Sequence, residues 1–288
     1  MIISASYKTD IPAFYGQWFM DKFNKGFCEM QNPYNNQTYN VDLRNADGFV
    51  FWTKNLSPFM NYLNEITEAN YPFYIQYSIN NYPIDLEPFV EKPQKHIQNV
   101  YALWDKFGPQ SVVWRYDPIL YTSLTSYDWH LENFKILAKN LDGLTNEVVV
   151  SFAQIYKKVK NNLNSASIEQ DFNWQDPTFE AKKELTYKLA DIAQMHKMKF
   201  SVCGQREFLD GNIFDAKCID AERLSRIAGY EIKAKRKGHR EGCGCYESKD
   251  IGAYETCPHG CIYCYAVENH TMVQQNYEKH NDTKNILE

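Results

Sequence analysis

An α/β fold, built on a parallel sheet and carrying a cysteine-rich C-terminal extension, is what this 288-residue sequence predicts. Two observations support it. Short apolar runs rich in β-branched and aromatic residues alternate with longer runs of helical period, the pattern of βα units around a parallel sheet. Seven of the eight cysteines fall between Cys203 and Cys264, after that alternation stops, while Cys28 stands alone.

Taken in order, the expected strands are residues 2–6, 49–53, 73–79, 111–116, 147–152 and 199–203. Between them the helical period predicts helices over 13–23, 58–68, 95–107, 127–140 and 178–196. Each strand run ends in polar residues before the next helix, which is where barrel and open-sheet α/β proteins place their chemistry. From 204 to 248 the pattern lapses, with one helix expected at 220–228. A connection so long and irregular needs something to order it, and metal ligation is the expected agent. A last strand at 250–254 then leads into a cysteine loop and a helix over 265–277, and the polar residues 278–288 are expected to fray. No Pro/Gly/Ser linker divides the chain, so it reads as one domain in three stretches: the strands and helices of 1–203, the cysteine-containing connection of 204–249, and the final strand, loop and helix of 250–288.

Composition narrows the class. Hydrophobic residues make up 44% and aromatics 15%, with 21 Tyr and 17 Phe, enough for a sizeable core. A formal net charge of -5 gives no whole-molecule attraction to nucleic acid, although a local basic surface remains compatible with it. The start, Met1-Ile-Ile-Ser-Ala-Ser6, is too short and polar for a signal peptide. No run approaches the ~18 apolar residues of a membrane span, so the expected location is the cytoplasm and no membrane partner is expected. In a reducing compartment, clustered cysteines are better explained as metal ligands than as disulfides.

The densest motif is Cys257-Pro-His-Gly-Cys261-Ile-Tyr-Cys264, a Cys-x3-Cys-x2-Cys loop. Three thiolates from one loop can hold three irons of a [4Fe-4S] cluster and leave the fourth open. The plainer reading is structural zinc, with His259 or Cys245 completing the set, and spacing alone leaves both open. Cys203, Cys218, Cys243 and Cys245 form a second constellation, read as ligands of an auxiliary Fe–S cluster or, in the alternative, of zinc. The plainest reading makes them small buried hydrophobes. Lys54, Arg115, Asp117, Ser151 and Gln154 lie at strand ends, where each is a candidate for ligand contact or for a rim ion pair, Lys54 with Asp117 among them. Trp52, Tyr77, Trp114, Tyr116 and Tyr156 are placed to line a substrate cavity or stack on a base, with ordinary packing the expected role of each singly. The run Lys233-Ala-Lys-Arg-Lys-Gly-His-Arg240 reads as a solvated loop or as a clamp for phosphates.

The loop Thr256-Cys-Pro-His-Gly-Cys-Ile-Tyr-Cys-Tyr-Ala266 resembles the cluster loop of the spore photoproduct lyase-like branch of the radical S-adenosylmethionine (SAM) superfamily. Further elements of that branch follow in order from the N-terminus: Thr9-Asp10-Ile-Pro12, Trp52-Thr53-Lys54-Asn55, Tyr77-Ser78-Ile79 and Arg115-Tyr-Asp117-Pro118-Ile119. Nearly the whole chain looks like the domain-of-unknown-function family numbered 1848. The resemblance implies a circularly permuted partial (β/α)6 TIM-like barrel whose usual first strand has moved to the C-terminus and pairs with the N-terminal strand.

It also implies an enzyme that reductively cleaves SAM at an open [4Fe-4S] cluster to give an adenosyl radical. Cys257, Cys261 and Cys264 would hold that cluster, with Tyr263 near the adenine. Ser4, Ser6, Thr9 and Asp10 would lie where SAM's amino group is held, although the usual Gly-Gly-Glu element is missing. Lys54, Arg115 and Asp117 become the catalytic candidates, with Arg115 suited to a carboxylate and Ser151 or Gln154 to ribose hydroxyls. The implied partners are SAM, an electron donor such as flavodoxin or ferredoxin, and a nucleic acid or nucleotide substrate for repair or modification. The rival expectation is a non-catalytic Fe–S or zinc module with a nucleic-acid or redox-sensing role. A zinc hydrolase using Asp10, Asp117 and Glu147 ranks last, since no His-Glu-x-x-His or His-x-His pattern is present.

Overall fold

The first strand, β1 (Ile2–Ala5), has all four residues buried, as a strand covered on both faces must. The computed structural model in which it lies describes residues 1–32, 35–238 and 242–287. After β1, Asp10 caps the short helix α1 (Ile11–Phe14) by accepting from Ala13 N at 2.9 Å, and α2 (Gly16–Lys25) follows. The single helix expected over 13–23 is therefore two, because the chain changes direction at Tyr15, whose extended φ of -128° lies outside the helical range. Gly26, at φ +86°, ends α2 in the left-handed conformation that glycine adopts without a Cβ penalty. An antiparallel hairpin of β2 (Phe27–Gln31) and β3 (Thr38–Asp42) comes next and had no counterpart in the sequence reading.

The repeating βα pattern then holds. β4 (Gly48–Thr53) leads to α3 (Tyr62–Glu68), β5 (Phe73–Ser78) to α4 (Pro93–Phe107), and β6 (Val112–Ile119), with the short β7 (Tyr121–Thr122), to α5 (Tyr127–Asn140). β8 (Glu147–Phe152) is followed by α6 (Lys157–Glu169), β9 (Trp174–Gln175) and α7 (Phe179–Met195) before β10 (Lys199–Val202) and β11 (Ile213–Asp215). The helix α6 was not expected. Its apolar stripe is sparse, with Val159, Leu163 and Ala166 the residues it buries, and its sequence is rich in Asn and Ser.

Eight strands form one parallel sheet in the order β11-β10-β8-β6-β5-β4-β1 and, after α8 (Ala221–Ala228), β12 (Ser248–Asp250). β12 pairs with β1 in the register Ile2↔Ser248 and Ser4↔Asp250, so the first and last strands are neighbours as expected. β11 and β12 are the two edges, and no ladder between them closes the sheet among the described residues. The last strand ends sooner than the expected 250–254. Gly252 N donates to Asp250 Oδ1 at 3.1 Å, turning the chain away from the ladder.

One face of the sheet, through Ile3, Phe49, Phe51, Ile75, Trp114, Val148 and Val150, packs in the main core with the helices. The other face, through Ile2, Val50, Tyr74, Val113 and Val149, is covered by Ala216, Cys218, Ile219, Leu224, Ile232, Cys245 and Tyr246. The connection expected to need a metal for order therefore has apolar packing of its own. The C-terminal helix α9 (His270–Glu278) starts later than the expected 265, because Asn269 caps it through Met272 N at 2.9 Å. The tail after it is not frayed. Trp18 Nε1 donates to Lys284 O at 3.0 Å, Glu29 N to Asn285 O at 2.9 Å, and Leu287 is buried. Among the described residues no helix is long and apolar enough to cross a membrane.

Candidate functional site at the carboxyl end of the sheet

The cysteine loop follows β12 and lies at the carboxyl end of the sheet. Glu255 N donates to Ala266 O at 3.0 Å and Cys264 N to Cys261 O at 3.1 Å, which closes the loop on itself. Ile262 N reaches Leu86 O at 3.2 Å, and Tyr15 OH reaches Thr256 O at 2.5 Å. Cys261 is buried and Cys257 and Cys264 are partly buried. Burial pushes the thiols up, Cys257 to about 12, with Asp10 and Cys264 adding to it. The Cys261 thiol is raised well above its usual value by burial, against the pull of Lys54. Neutral thiols in this setting ionise only against a strong positive partner such as a metal. Ala266 N already donates to Cys264 Sγ at 3.4 Å, a contact that favours a thiolate.

His259, a candidate fourth zinc ligand in the plainer reading of the motif, faces Asp10. Its Nε2 lies 2.7 Å from Asp10 Oδ2, and Asp10 also accepts from Lys54 N at 2.6 Å. On its other side His259 Nδ1 lies 3.4 Å from Phe89 O, so the ring is held between the Asp10 carboxyl and a backbone carbonyl. Asp10 thus anchors the loop and caps the helix.

Lys54 pairs with Glu87, Nζ to Oε1 at 2.8 Å, and not with Asp117. Tyr263 OH also donates to Glu87, and Asn80 Nδ2 reaches the same oxygen at 3.2 Å. Burial opposes the Lys54 ammonium, but Glu87 and Cys261 outweigh it and hold its pKa above the usual value. Glu87 is held below the usual carboxylate range, because Lys54 and three hydrogen bonds overcome the cost of burial. Glu87 had no signal in the sequence, since it lies in an irregular stretch between β5 and α4.

Ser4 and Ser6 are also committed within the protein. Their hydroxyls each donate to Asp250 at 2.8 Å, and Tyr7 N donates to it at 3.1 Å. Thr9 differs: its buried Oγ1 has no hydrogen-bond partner, and the same holds for Asn80 Oδ1. Buried polar atoms are nearly always paired, so these two call for a partner from outside the chain.

Arg115 grips Asp117 through Nε at 3.0 Å and through Nη2, while Nη1 donates to Gln76 Oε1 at 3.2 Å and to Cys218 Sγ at 2.9 Å. Its guanidinium lies 4.9 Å from the Trp52 ring centre. Ser151 Oγ donates to Asp117 at 3.3 Å, and Gln154 accepts from Tyr156 OH. Arg115 is therefore a buried internal pair with Asp117. Tyr77, Trp114 and Tyr116 are buried on the helix side of the sheet, as packing residues. Glu147 opens β8 at the other end of the strand, paired with Arg223 at 2.9 Å, so it cannot act with Asp10 or Asp117.

The second constellation is brought together from three segments. Cys218 Sγ lies 3.4 Å from Cys203 Sγ, and hydrogen-bond contacts continue from Cys218 to Cys245 and from Cys245 to Cys243. Cys218 thus neighbours both Cys203 and Cys245, and among the described residues no three His, Cys, Asp or Glu groups converge on one ion position. The basic run falls partly outside the described residues, at His239 and Arg240. Within them Lys233, Arg236 and Lys237 each pair with a glutamate, as a solvated loop would.

A parallel α/β sheet carrying its cysteine loop and buried ion pairs at the strands' carboxyl ends defines the general class. The chain belongs to the family described as Domain of unknown function (DUF1848), which matches residues 2–266. No curated protein matches the sequence.

Proposed function

We propose that this protein is a radical SAM-type iron–sulfur enzyme on a permuted partial barrel, with Cys257, Cys261 and Cys264 as the ligands of a SAM-binding [4Fe-4S] cluster. The observation that carries the reading is the placing of these three thiols in one self-closed loop at the carboxyl end of the sheet. The three need not converge on one point, because a four-iron cluster takes one thiolate per iron. When bound, the cluster would supply the electron that cleaves SAM reductively to an adenosyl radical, chemistry that side chains alone do not provide.

The chain's own residues would bind and orient. Thr9 Oγ1 and Asn80 Oδ1 are the buried polar atoms to meet SAM, and Asn80 Nδ2 also reaches Tyr263 OH at 3.3 Å. The Lys54 ammonium offsets thiolate charge at Cys261 and fixes Glu87, which in turn holds the Tyr263 ring beside the loop. At the rim, Lys8 and Lys158 lie 5.5 and 5.6 Å from the ring of the exposed Tyr254. Such cation-flanked aromatics suit a nucleotide or nucleic acid substrate. An acidic flavodoxin- or ferredoxin-type protein would deliver the electron.

Electron paramagnetic resonance of the anaerobically reconstituted, dithionite-reduced protein tests this, with iron, sulfide and zinc counted. A [4Fe-4S] signal that shifts on adding SAM is the expected result. A zinc-filled loop without such a signal would overturn it and favour the non-catalytic module.

A further inference from the structure

The second group of cysteines supports an inference that does not depend on the first. We propose that Cys203, Cys218, Cys243 and Cys245 bind one zinc ion as four thiolates, forming a structural centre that pins the connection after β11 to the sheet face carrying Val50, Tyr74 and Val113.

The separation of two of the sulfurs narrows the choice of metal. Four thiolates around zinc, with bonds of about 2.3 Å, have sulfur–sulfur edges of about 3.8 Å. The 3.4 Å between Cys203 and Cys218 is within a few tenths of that edge. In a [4Fe-4S] cluster each cysteine has its own iron, which puts the cluster core between the sulfurs and excludes direct contact. A four-iron auxiliary cluster is therefore the poorer fit, while a two-iron cluster, with two cysteines on each iron, is separated from zinc by the iron and sulfide analysis below. The line of contacts, Cys203 to Cys218 to Cys245 to Cys243, already has the buried inner pair in place. Rotation of the two partly buried side chains, Cys203 and Cys243, is what would bring all four sulfurs around an ion.

The surroundings are prepared for negative sulfur. Arg115 Nη1 donates to Cys218 Sγ at 2.9 Å and Ile219 N to Cys245 Sγ at 3.3 Å. Four thiolates and a divalent ion leave two negative charges, and such donors offset them. The backbone holds the Cys-Gly-Cys turn against the sheet, with Tyr246 N donating to Ile219 O and Lys237 N to Cys245 O, both at 3.0 Å. Gly244 permits the approach: a Cβ there would lie 2.9 Å from Asp215 Oδ2 and 3.1 Å from Ala216 O.

The test uses the full chain with Cys257, Cys261 and Cys264 all changed to Ala, expressed with both iron and zinc supplied. Metal analysis should find one zinc per chain, and zinc-edge X-ray absorption should find four sulfurs at about 2.3 Å. Adding Cys218→Ser should abolish that zinc, and Arg115→Gln should speed its loss to a chelator about tenfold or more. Iron with acid-labile sulfide, a nitrogen- or oxygen-rich shell, a Cys203–Cys218 disulfide, or no metal would each overturn the proposal. Should Cys218→Ser fail to fold, the absorption spectrum of the triple variant still decides. Failure of the iron–sulfur reading would register separately, as zinc in place of iron at the loop of the unmodified protein.

Discussion

Nε2 of His259 is hydrogen-bonded to the Asp10 carboxyl at 2.7 Å, joining the C-terminal cysteine loop to the cap of the first helix. The same carboxylate accepts from Lys54 N, so three elements distant in sequence share one buried acceptor. Asp10→Ala leaves these donors unpaired and is expected to cost about 2–4 kcal/mol, since each unpaired buried donor costs about 1–3 kcal/mol. Urea unfolding measures it, with iron content falling in parallel if the loop is a cluster loop. A loss under about 0.5 kcal/mol would mean the contact is incidental.

Lys54 and Glu87 form a buried pair whose separation should be costly. Lys54→Met leaves the Glu87 carboxylate buried without its cation and is expected to destabilise the protein by about 3–5 kcal/mol. The double variant Lys54→Met/Glu87→Gln should recover much of that, read as a coupling energy in a double-mutant cycle. Additive losses would show that the pair is not coupled.

A pH dependence follows from His130, which is fully buried between Tyr116 OH at 2.8 Å and Leu120 O at 3.0 Å. Burial lowers its pKa from 6.5 to about 4, so the folded state prefers the neutral ring. Between those values the unfolded chain binds the extra proton, and stability rises with pH. The contribution is complete above about pH 6.5 and is lost as pH falls towards 4, amounting to about 3 kcal/mol. Urea midpoints from pH 7 to 4 should show this slope, and His130→Gln should lower it by one proton. An unchanged slope would assign the effect elsewhere.

The C-terminal tail is expected to be indispensable. Lys22 is fully buried, with its ammonium held by Asp21 at 2.5 Å and by the carbonyls of Asp282 at 3.0 Å and Thr283 at 3.2 Å. Truncation after residue 280 strips away both carbonyls and the cover over Trp18. The loss should exceed about 3 kcal/mol, as for a buried charge deprived of partners. Lys22→Met should rescue part of it in a thermal melt. A truncated chain as stable as the full one would show the tail to be dispensable.

The sheet strands at 49–53, 73–79, 147–152 and 199–203 were legible because a strand buried on both faces is a continuous apolar run. The hairpin of β2 and β3 was not, since its Cys28 and Val41 are buried among partly or fully exposed neighbours. The tail misled for a related reason: Asp282, Thr283 and Lys284 are polar by side chain, yet their carbonyls do the binding, and backbone acceptors leave no mark on residue type.

By itself the sequence determined the alternation of strands and helices and the two groups of cysteines. These depend on hydrophobic period and ligand spacing, which are local properties. Only the tertiary structure decided that Asp10, Ser4, Ser6 and Arg115 are already engaged by His259, Asp250, Asp117 and Cys218, and that Glu87 belongs with Lys54. Whether a polar side chain faces a ligand or another side chain depends on which strand ends the sheet order brings together, and no local pattern records that.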